Sequence, residues 1–275
     1  MKPPAFDYMV AKSIADASAA LLVEGAFAVA GGQSLLPMLS LRVAAPDRLI
    51  DIGRLAELRE SSKSASAVRL GALTTHADAE DGNIPDSFAG LLPRVASGIS
   101  YRAVRNFGTI GGSVALADPA ADWPVCLLAL GADVRVAMPS GVRSEAIDDL
   151  LQGQYTTSLD RGEIILGFDI APPGPGFRSG YCKVARKSGA YANSIAMAVQ
   201  RGRDGPISIA LGAAADRALL LSATAERLKA GERAAESLRA AIRDDLNAHA
   251  VEADDYLTRL HVSTVLRAVQ EMLSR

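Results

Sequence analysis

Apolar and polar positions alternate along this chain with two periods, and both occur within the first fifty residues. Residues 13–22 carry apolar side chains at helical spacing, and Gly25 can end that helix. Residues 27–30 form a short apolar run typical of a buried strand, 35–41 a second helix, and 48–52 an alternating second strand. The pattern therefore predicts a compact αβαβ unit as a first lobe.

The next 115 residues or so continue the alternation of helices and strands. Thr74 or Thr75 can cap a helix, and Gly131 can end another. The predicted strands are 68–70, 133–137 and 142–147, and the predicted helices are 88–97 and 124–130. A second α+β lobe is expected here, with the lobes at about 1–54 and 55–170.

Residues 171–176 form the clearest linker, because three prolines and two glycines in six positions cannot continue a helix or a central strand. The last part of the chain then reads as strands followed by helices. The strands are predicted at 180–184, 195–200 and 206–212, and the helices at 223–230, 232–246 and 254–273. The pattern indicates a smaller α+β domain at 177–275.

Two glycine runs are the strongest functional signal. Residues 30–34 read Ala-Gly-Gly-Gln-Ser after a predicted strand, and residues 109–113 read Thr-Ile-Gly-Gly-Ser. Glycines let a ligand approach the main chain, and consecutive amides can bind an anion. Ser34 can cap the following helix. Either run alone is more often an ordinary turn, but the pair suggests two loops that grip a pyrophosphate, without a Rossmann or phosphate-loop fingerprint.

Composition narrows the possible partners. The 275 residues are 49% hydrophobic, with a net charge of −2 and a pI near 6.0, which argues against general binding to nucleic acid or anionic lipid. Cys126 and Cys182 are too few for an iron–sulfur cluster. His76, His249 and His261 are scattered, so structural or surface roles are expected and no metal site is predicted.

The sequence shows neither a hydrolytic motif nor a pair of carboxylates suited to acid–base chemistry, so no catalytic residue is predicted. The N-terminus lacks the apolar core of a signal peptide, and no apolar run reaches the roughly 18 residues that span a bilayer. A cytoplasmic location is expected.

Six blocks of sequence resemble the FAD-binding medium subunit of the molybdenum hydroxylases, the family of carbon monoxide dehydrogenase and xanthine dehydrogenase. The blocks occur in the family's order and lie at 30–37, 49–52, 71–76, 105–113, 117–122 and 181–189. The resemblance implies a two-lobed FAD-binding domain of the vanillyl-alcohol-oxidase (PCMH) type at 1–170. It also implies a smaller C-terminal α+β domain of the carbon monoxide dehydrogenase flavoprotein type.

The resemblance also implies a set of cofactor-binding residues. Those expected at the pyrophosphate are Ala30, Gly31, Gly32, Gln33, Ser34, Leu35, Thr109, Ile110, Gly111, Gly112 and Ser113. Gln33 replaces a histidine found in some relatives, a change that a site built from backbone amides should tolerate.

Five further residues are expected along the rest of the cofactor. Asp122 matches an aspartate near the ribose, with a helix N-cap as the alternative. Ile99 and Ile165 match the adenine or flavin pocket, with core packing as the alternative. Lys183 matches a lysine near the isoalloxazine, with a solvated strand lysine as the alternative. Tyr191 is a flavin neighbour, and Ala190 stands before it where relatives often carry aspartate.

The function implied is electron transfer within a heteromeric complex. A large molybdenum-cofactor subunit would oxidise the substrate and a small iron–sulfur subunit would pass electrons to FAD on this chain, which would reduce NAD, a quinone or oxygen. A dimer of heterotrimers is the expected assembly, and the large subunit would set the substrate. The alternatives are a stand-alone FAD oxidoreductase of the same fold and a non-catalytic assembly or binding module.

Overall fold

The N-terminal region of the computed structural model, which describes residues 2–275, is a three-stranded parallel sheet with two helices. Its elements are β1 (Asp7–Val10), α1 (Ile14–Leu21), β2 (Ala26–Val29), α2 (Leu35–Leu41) and β3 (Arg48–Asp51). The strand order is β1-β3-β2. Strand β1 is absent from the predicted αβαβ unit, which is therefore a βαβαβ unit.

The two serines before these helices behave differently. Ser13 caps α1, because its hydroxyl accepts a hydrogen bond from the Asp16 amide at 3.1 Å. Ser34 occupies the same position before α2, but its side chain makes no capping bond, and its backbone is already helical. The predicted cap at Ser34 is therefore wrong, and its hydroxyl has no part in holding α2.

The central region is built on a five-stranded antiparallel sheet of order β4-β5-β10-β6-β7. Its middle strand, β10 (Ile164–Ile170), is missing from the sequence prediction, which has no element between residue 147 and the linker at 171. The elements are a 3-10 turn (Ala56–Leu58), β4 (Ser62–Lys63), β5 (Val68–Gly71), α3 (His76–Glu80), α4 (Leu91–Ser97), α5 (Arg102–Arg105), α6 (Ile110–Leu116), α7 (Asp122–Ala129), β6 (Asp133–Met138), β7 (Gly141–Ala146), α8 (Ile147–Leu150), β8 (Leu151–Gly153), β9 (Thr156–Thr157) and β10 (Ile164–Ile170).

Residues 171–176 contain neither helix nor strand. The chain then forms a four-stranded antiparallel sheet of order β11-β12-β13-β14, followed by three helices. These elements are β11 (Arg178–Val184), β12 (Ser194–Gln200), β13 (Ile207–Gly212), β14 (Leu219–Leu220), α9 (Ser222–Lys229), α10 (Ala235–Ala248) and α11 (Asp255–Ser274). The predicted elements after the linker are confirmed apart from the two-residue β14.

Helix α7 lies at the centre of the molecule, and every one of its residues is buried. It packs on β12 and β13 of the C-terminal sheet. Alternate residues of β12 divide between two apolar clusters, with Ile195 and Met197 in the cluster of α7, and Ala196 and Ala198 in the cluster of α11. The C-terminal sheet therefore shares a core with the region before the linker.

A bidentate ion pair adds to this contact, because Arg94 of α4 binds both carboxylate oxygens of Glu271 on α11. Arg94 also donates to the Tyr181 carbonyl at 2.8 Å. Within residues 2–275, no helix combines the length and apolar character required to cross a membrane.

Candidate functional site

A cavity of about 760 Å³ opens where the N-terminal sheet, the central region and the C-terminal sheet meet. This volume is in the range of small-molecule and cofactor sites. Both glycine runs line it, together with Lys183, Lys187 and residues 189–191 from beyond the linker. Of the sixteen predicted site residues, Ile110 alone is outside the lining, since it is fully buried in the core.

The first glycine run presents unpaired main-chain donors to the cavity. The amides of residues 31–35 donate to no other group among residues 2–275, although all five residues line the cavity. The Gln33 side chain folds back onto the Gly31 carbonyl at 3.0 Å. Buried or half-buried amides nearly always have partners, so five consecutive free donors point to a bound anion or ordered water.

The second run uses most of its amides internally. Ile110 and Gly111 donate to the carbonyls of Thr74 and Ala72 at 2.9 and 2.8 Å, and Gly112 donates to the Thr109 hydroxyl at 3.0 Å. The amide of Ser113 bonds to the Thr109 carbonyl at 3.0 Å, which leaves its hydroxyl as its polar group toward the cavity. The two runs are therefore unequal, and the first supplies most of the free amides.

Two glycines in these runs are required by packing of the backbone. A Cβ on Gly31 would lie 1.8 Å from the Phe107 carbonyl oxygen, and a Cβ on Gly111 would lie 2.7 Å from the Ala72 carbonyl oxygen. Neither position can hold a larger residue without moving the main chain. The Gly31 contact sets the first run against residues 107–108, just before the second run, and we call this contact the glycine seam.

Asp122 and Lys183, for which the resemblance implies separate roles, form a buried ion pair. The Lys183 ammonium lies 2.8 Å from the Asp122 carboxylate and also donates to the Gly98 carbonyl at 3.1 Å. The Tyr181 hydroxyl donates to the other carboxylate oxygen at 2.6 Å. Burial raises the pKa of Asp122, and the Lys183 charge and the Tyr181 hydroxyl oppose that rise.

This geometry also decides between the alternatives for these two residues. Ala121 is the N-cap of α7, and Asp122 is its first residue and makes no capping bond, so the N-cap alternative is wrong. The side chain of Lys183 is only 10% exposed, which rules out a solvated strand lysine.

The remaining predicted residues lie on the walls of the cavity. Ile165, on β10, is 5% exposed and belongs to the central apolar cluster. Ile99, which follows α4, is half-buried and packs against that cluster. Tyr191 is 56% exposed and lies beside Ala190. Residues 2–275 hold no cluster of three or more histidine, cysteine, aspartate or glutamate side chains arranged for a metal.

Among the wall residues that sequence reasoning missed is His76, for which it expected a structural or surface role. The His76 ring is buried and its Nδ1 accepts a hydrogen bond from Trp123 Nε1 at 3.0 Å. Burial lowers the pKa of His76 to about 4, with a smaller effect of the Arg105 charge. The block 71–76 carries this residue, but only the fold shows that its ring reaches the cavity.

An α+β body with a cavity of cofactor size, a row of free amides and a buried ion pair is typical of proteins that bind an anionic cofactor. Residues 4–172 match the family described as the FAD binding domain in molybdopterin dehydrogenase, and the chain belongs to this family.

Relatives agree over most of the chain. It is 41% identical to the glyceraldehyde dehydrogenase medium chain of Sulfolobus acidocaldarius over 73% of this chain and 72% of that protein. It is 33% identical to the nicotine 6-hydroxylase medium subunit of Paenarthrobacter nicotinovorans over 100% and 97%. A structure of carbon monoxide dehydrogenase from Hydrogenophaga pseudoflava, which lacks the Mo-pyranopterin moiety, matches with a TM-score of 0.91 and 34% identity over 100% and 99%.

These matches confirm the family and the α+β fold class expected from the sequence, with FAD as the cofactor of the family. The chain is the flavoprotein part of a multi-subunit molybdenum enzyme. The residues present fit FAD, because free amides suit its phosphates and the apolar walls suit its rings.

Proposed function

We propose that this chain holds FAD in the cavity described above and relays electrons within a molybdenum hydroxylase complex. It takes them from a small iron–sulfur subunit and delivers them to NAD, a quinone or oxygen. The row of free amides at residues 31–35, facing a cavity of about 760 Å³, is the observation that carries this proposal. When bound, FAD supplies redox chemistry in one- or two-electron steps.

The protein's own groups then bind and orient the cofactor. We assign the phosphates to the amides of residues 31–35, with the Thr109 amide and the Ser113 hydroxyl as further donors, because none of these has a partner among residues 2–275. Uncharged donors of this kind bind phosphate without the need for a lysine or arginine. The donors that we assign to the phosphates are therefore mainly main-chain amides.

We assign the rest of the cofactor to the walls of the cavity. Ile99 and Ile165 provide apolar surface for its rings, and Tyr191 is an exposed aromatic neighbour of the flavin. Asp122 accepts from cofactor hydroxyls only to the extent that Tyr181 and Lys183 leave its oxygens free. The charge of Lys183 is already balanced by Asp122, so its effect on the flavin is weaker than that of an unpaired cation.

Ser113 provides a test that leaves the packed seam intact. Its side chain lines the cavity and makes no hydrogen bond to residues 2–275, so aspartate and asparagine, which have the same shape, both fit there. Ser113→Asp places a negative charge beside the phosphates and should weaken FAD binding by about tenfold or more. Ser113→Asn should remain within about threefold of the wild-type chain.

The measurement is titration of the full chain, freed of cofactor, with FAD, followed by flavin absorbance and fluorescence. Riboflavin, which has no phosphates, should bind Ser113→Asp as well as it binds the wild-type chain, because the added charge acts on the phosphates. If the wild-type chain takes up no FAD, the proposed function fails and a binding or assembly role replaces it. If Ser113→Asp and Ser113→Asn bind equally well, the phosphates lie elsewhere in the cavity.

A further inference from the structure

Among residues 2–275, His76 is the one histidine whose ring lines the cavity, and its hydrogen bond to Trp123 determines which nitrogen carries the proton. The indole Nε1 of Trp123 is a donor only, and it lies 3.0 Å from His76 Nδ1. Nδ1 must therefore be the bare acceptor nitrogen, which places the single proton of the neutral ring on Nε2. A doubly protonated ring would oppose two N–H groups at this contact.

The Nε2 edge of the ring lies at the seam between the two glycine runs. A Cβ on Gly108 would be 2.8 Å from His76 Nε2, and Gly108 is also 3.1 Å from the position of a Cβ on Gly31. The His76 amide donates to the Gly108 carbonyl at 2.9 Å, which fixes the helix start against the seam. His76 Nε2 has no hydrogen-bond partner among residues 2–275, but it is not completely buried.

The charges near this ring are themselves paired. Arg105 of α5 faces the ring and binds both oxygens of Glu80, on the same helix as His76. Asp122, next to Trp123 on α7, is paired with Lys183 of β11. Asp78, also on the helix of His76, is turned back to the Thr75 hydroxyl and amide. Burial and Arg105 together lower the pKa of His76 to about 4.

We propose that His76 donates its Nε2–H to the bound FAD at the glycine seam, and that Trp123 is the positioning residue that keeps the proton of His76 on Nε2. This inference rests on the proposed FAD site. It adds a side-chain donor to a grip otherwise made of main-chain amides and hydroxyls, and it makes the strength of that grip independent of pH over the range in which histidines ordinarily titrate.

The first test separates the donor from the rest of the ring. The amide nitrogen of glutamine can occupy the place of Nε2, whereas that of asparagine reaches only the place of Nδ1. His76→Gln should therefore keep FAD affinity within about threefold, and His76→Asn should lose about tenfold or more, as expected for a hydrogen bond to a charged group. His249→Gln, at an exposed histidine far along the chain, is the matched control.

The second test is the pH dependence of FAD affinity between pH 8 and pH 5.5. The wild-type chain should show no change attributable to His76, because its ring stays neutral throughout. In Trp123→Phe burial still keeps the ring neutral, but Nδ1 loses its donor and the proton can occupy either nitrogen, so FAD should bind about threefold or more weakly at both pH values. Imidazole nitrogen chemical shifts of His76 report the tautomer directly, and circular dichroism checks that each variant is folded.

The outcomes are distinct. A wild-type chain that takes up no FAD overturns the proposed function. If it binds FAD but His76→Asn binds as well as His76→Gln, the donor role is wrong. A folded Trp123→Phe that binds FAD as tightly as the wild type, or nitrogen shifts showing the proton on Nδ1 in the wild type, overturns the positioning role.

Discussion

At the scale of single residues, the buried pair of Asp122 and Lys183 joins α7 to the C-terminal sheet across one wall of the cavity. Their side chains are 5% and 10% exposed, so both charges are removed from water and depend on each other. Breaking such a pair by removing one partner costs far more than the pair itself contributes, because it leaves an uncompensated buried charge.

Lys183→Met should therefore destabilise the chain by about 3–5 kcal/mol at pH 8. Burial already raises the pKa of Asp122, and the loss of the ammonium removes the main opposing charge. A carboxyl with a higher pKa in the folded than in the unfolded state binds its proton more tightly when folded, so the destabilisation should shrink as the pH falls toward 5. Urea unfolding at the two pH values measures this effect.

Two further variants sharpen the result. Lys187→Met changes an exposed lysine of the same segment and should alter the free energy of unfolding by less than about 0.5 kcal/mol. Asp122→Asn combined with Lys183→Met removes both charges and should recover part of the loss. If Lys183→Met lowers the free energy of unfolding equally at both pH values, the Asp122 carboxyl is not the source of the destabilisation.

Sequence reasoning reached most of these residues but not their contacts. Asp122 and Lys183 lie 61 positions apart, and His76 and Trp123 lie 47 apart. A local pattern predicts which face a residue occupies, whereas a partner this distant depends on the packing of whole helices and strands. For this reason the sequence does not reveal that His76 lines the cavity, although the block at 71–76 that contains it resembles the family.

At the scale of elements, the glycine seam is a close contact between a loop after β2 and the loops around α6. The Gly31 α-carbon faces the Phe107 carbonyl with no room for a methyl group. This contact holds the loop that carries the free amides of residues 31–35.

Gly31→Ala should therefore cost about 1–3 kcal/mol, the usual range for overpacking, and should weaken FAD binding as well because the row of amides shifts. Gly153→Ala is a matched control, since a Cβ there would meet Asp216 at an ordinary 3.4 Å. Urea unfolding and FAD titration measure the two effects. Equal stability of the two variants would mean that the loop can move aside without cost.

Elements with a complete local signal were predicted well, and those that depend on neighbours were not. The prediction of α2 at 35–41 is confirmed, because a glycine turn precedes it and its apolar spacing is helical. Strand β1 was missed, since it is an edge strand with largely exposed residues. The middle strand β10 was missed despite its apolar residues, because Gly167 and the register shift beside it interrupt the alternating pattern.

At the scale of the whole molecule, the linker at 171–176 divides the chain into two parts, but residues from both parts pack in one apolar core. Alternate residues of β12 face α7 on one side and α11 on the other, so the same strand closes two apolar clusters. Lys183 and residues 189–191 reach the cavity from beyond the linker. The cavity therefore depends on both parts of the chain.

Assembly with partner subunits is the prediction that belongs to this scale. Co-expressed with a small iron–sulfur subunit and a large molybdenum subunit, the chain should purify with both, and sedimentation should give the mass of a dimer of heterotrimers. Substrate should then bleach the flavin absorbance of the complex but not that of the FAD-loaded chain alone, because in the proposed function the large subunit oxidises the substrate. A chain that oxidises substrate unaided would instead be a stand-alone oxidoreductase.

A cofactor grip made of main-chain amides also shapes how this protein can diverge over evolutionary time. Residues 33–35 contribute their N–H groups whatever side chain they carry, so their identities can drift while affinity is retained. Proline is the exception, because it has no N–H to donate. Gly31, by contrast, cannot drift at all. Laboratory selection for a different cofactor would therefore have to find its mutations in the side chains of the walls.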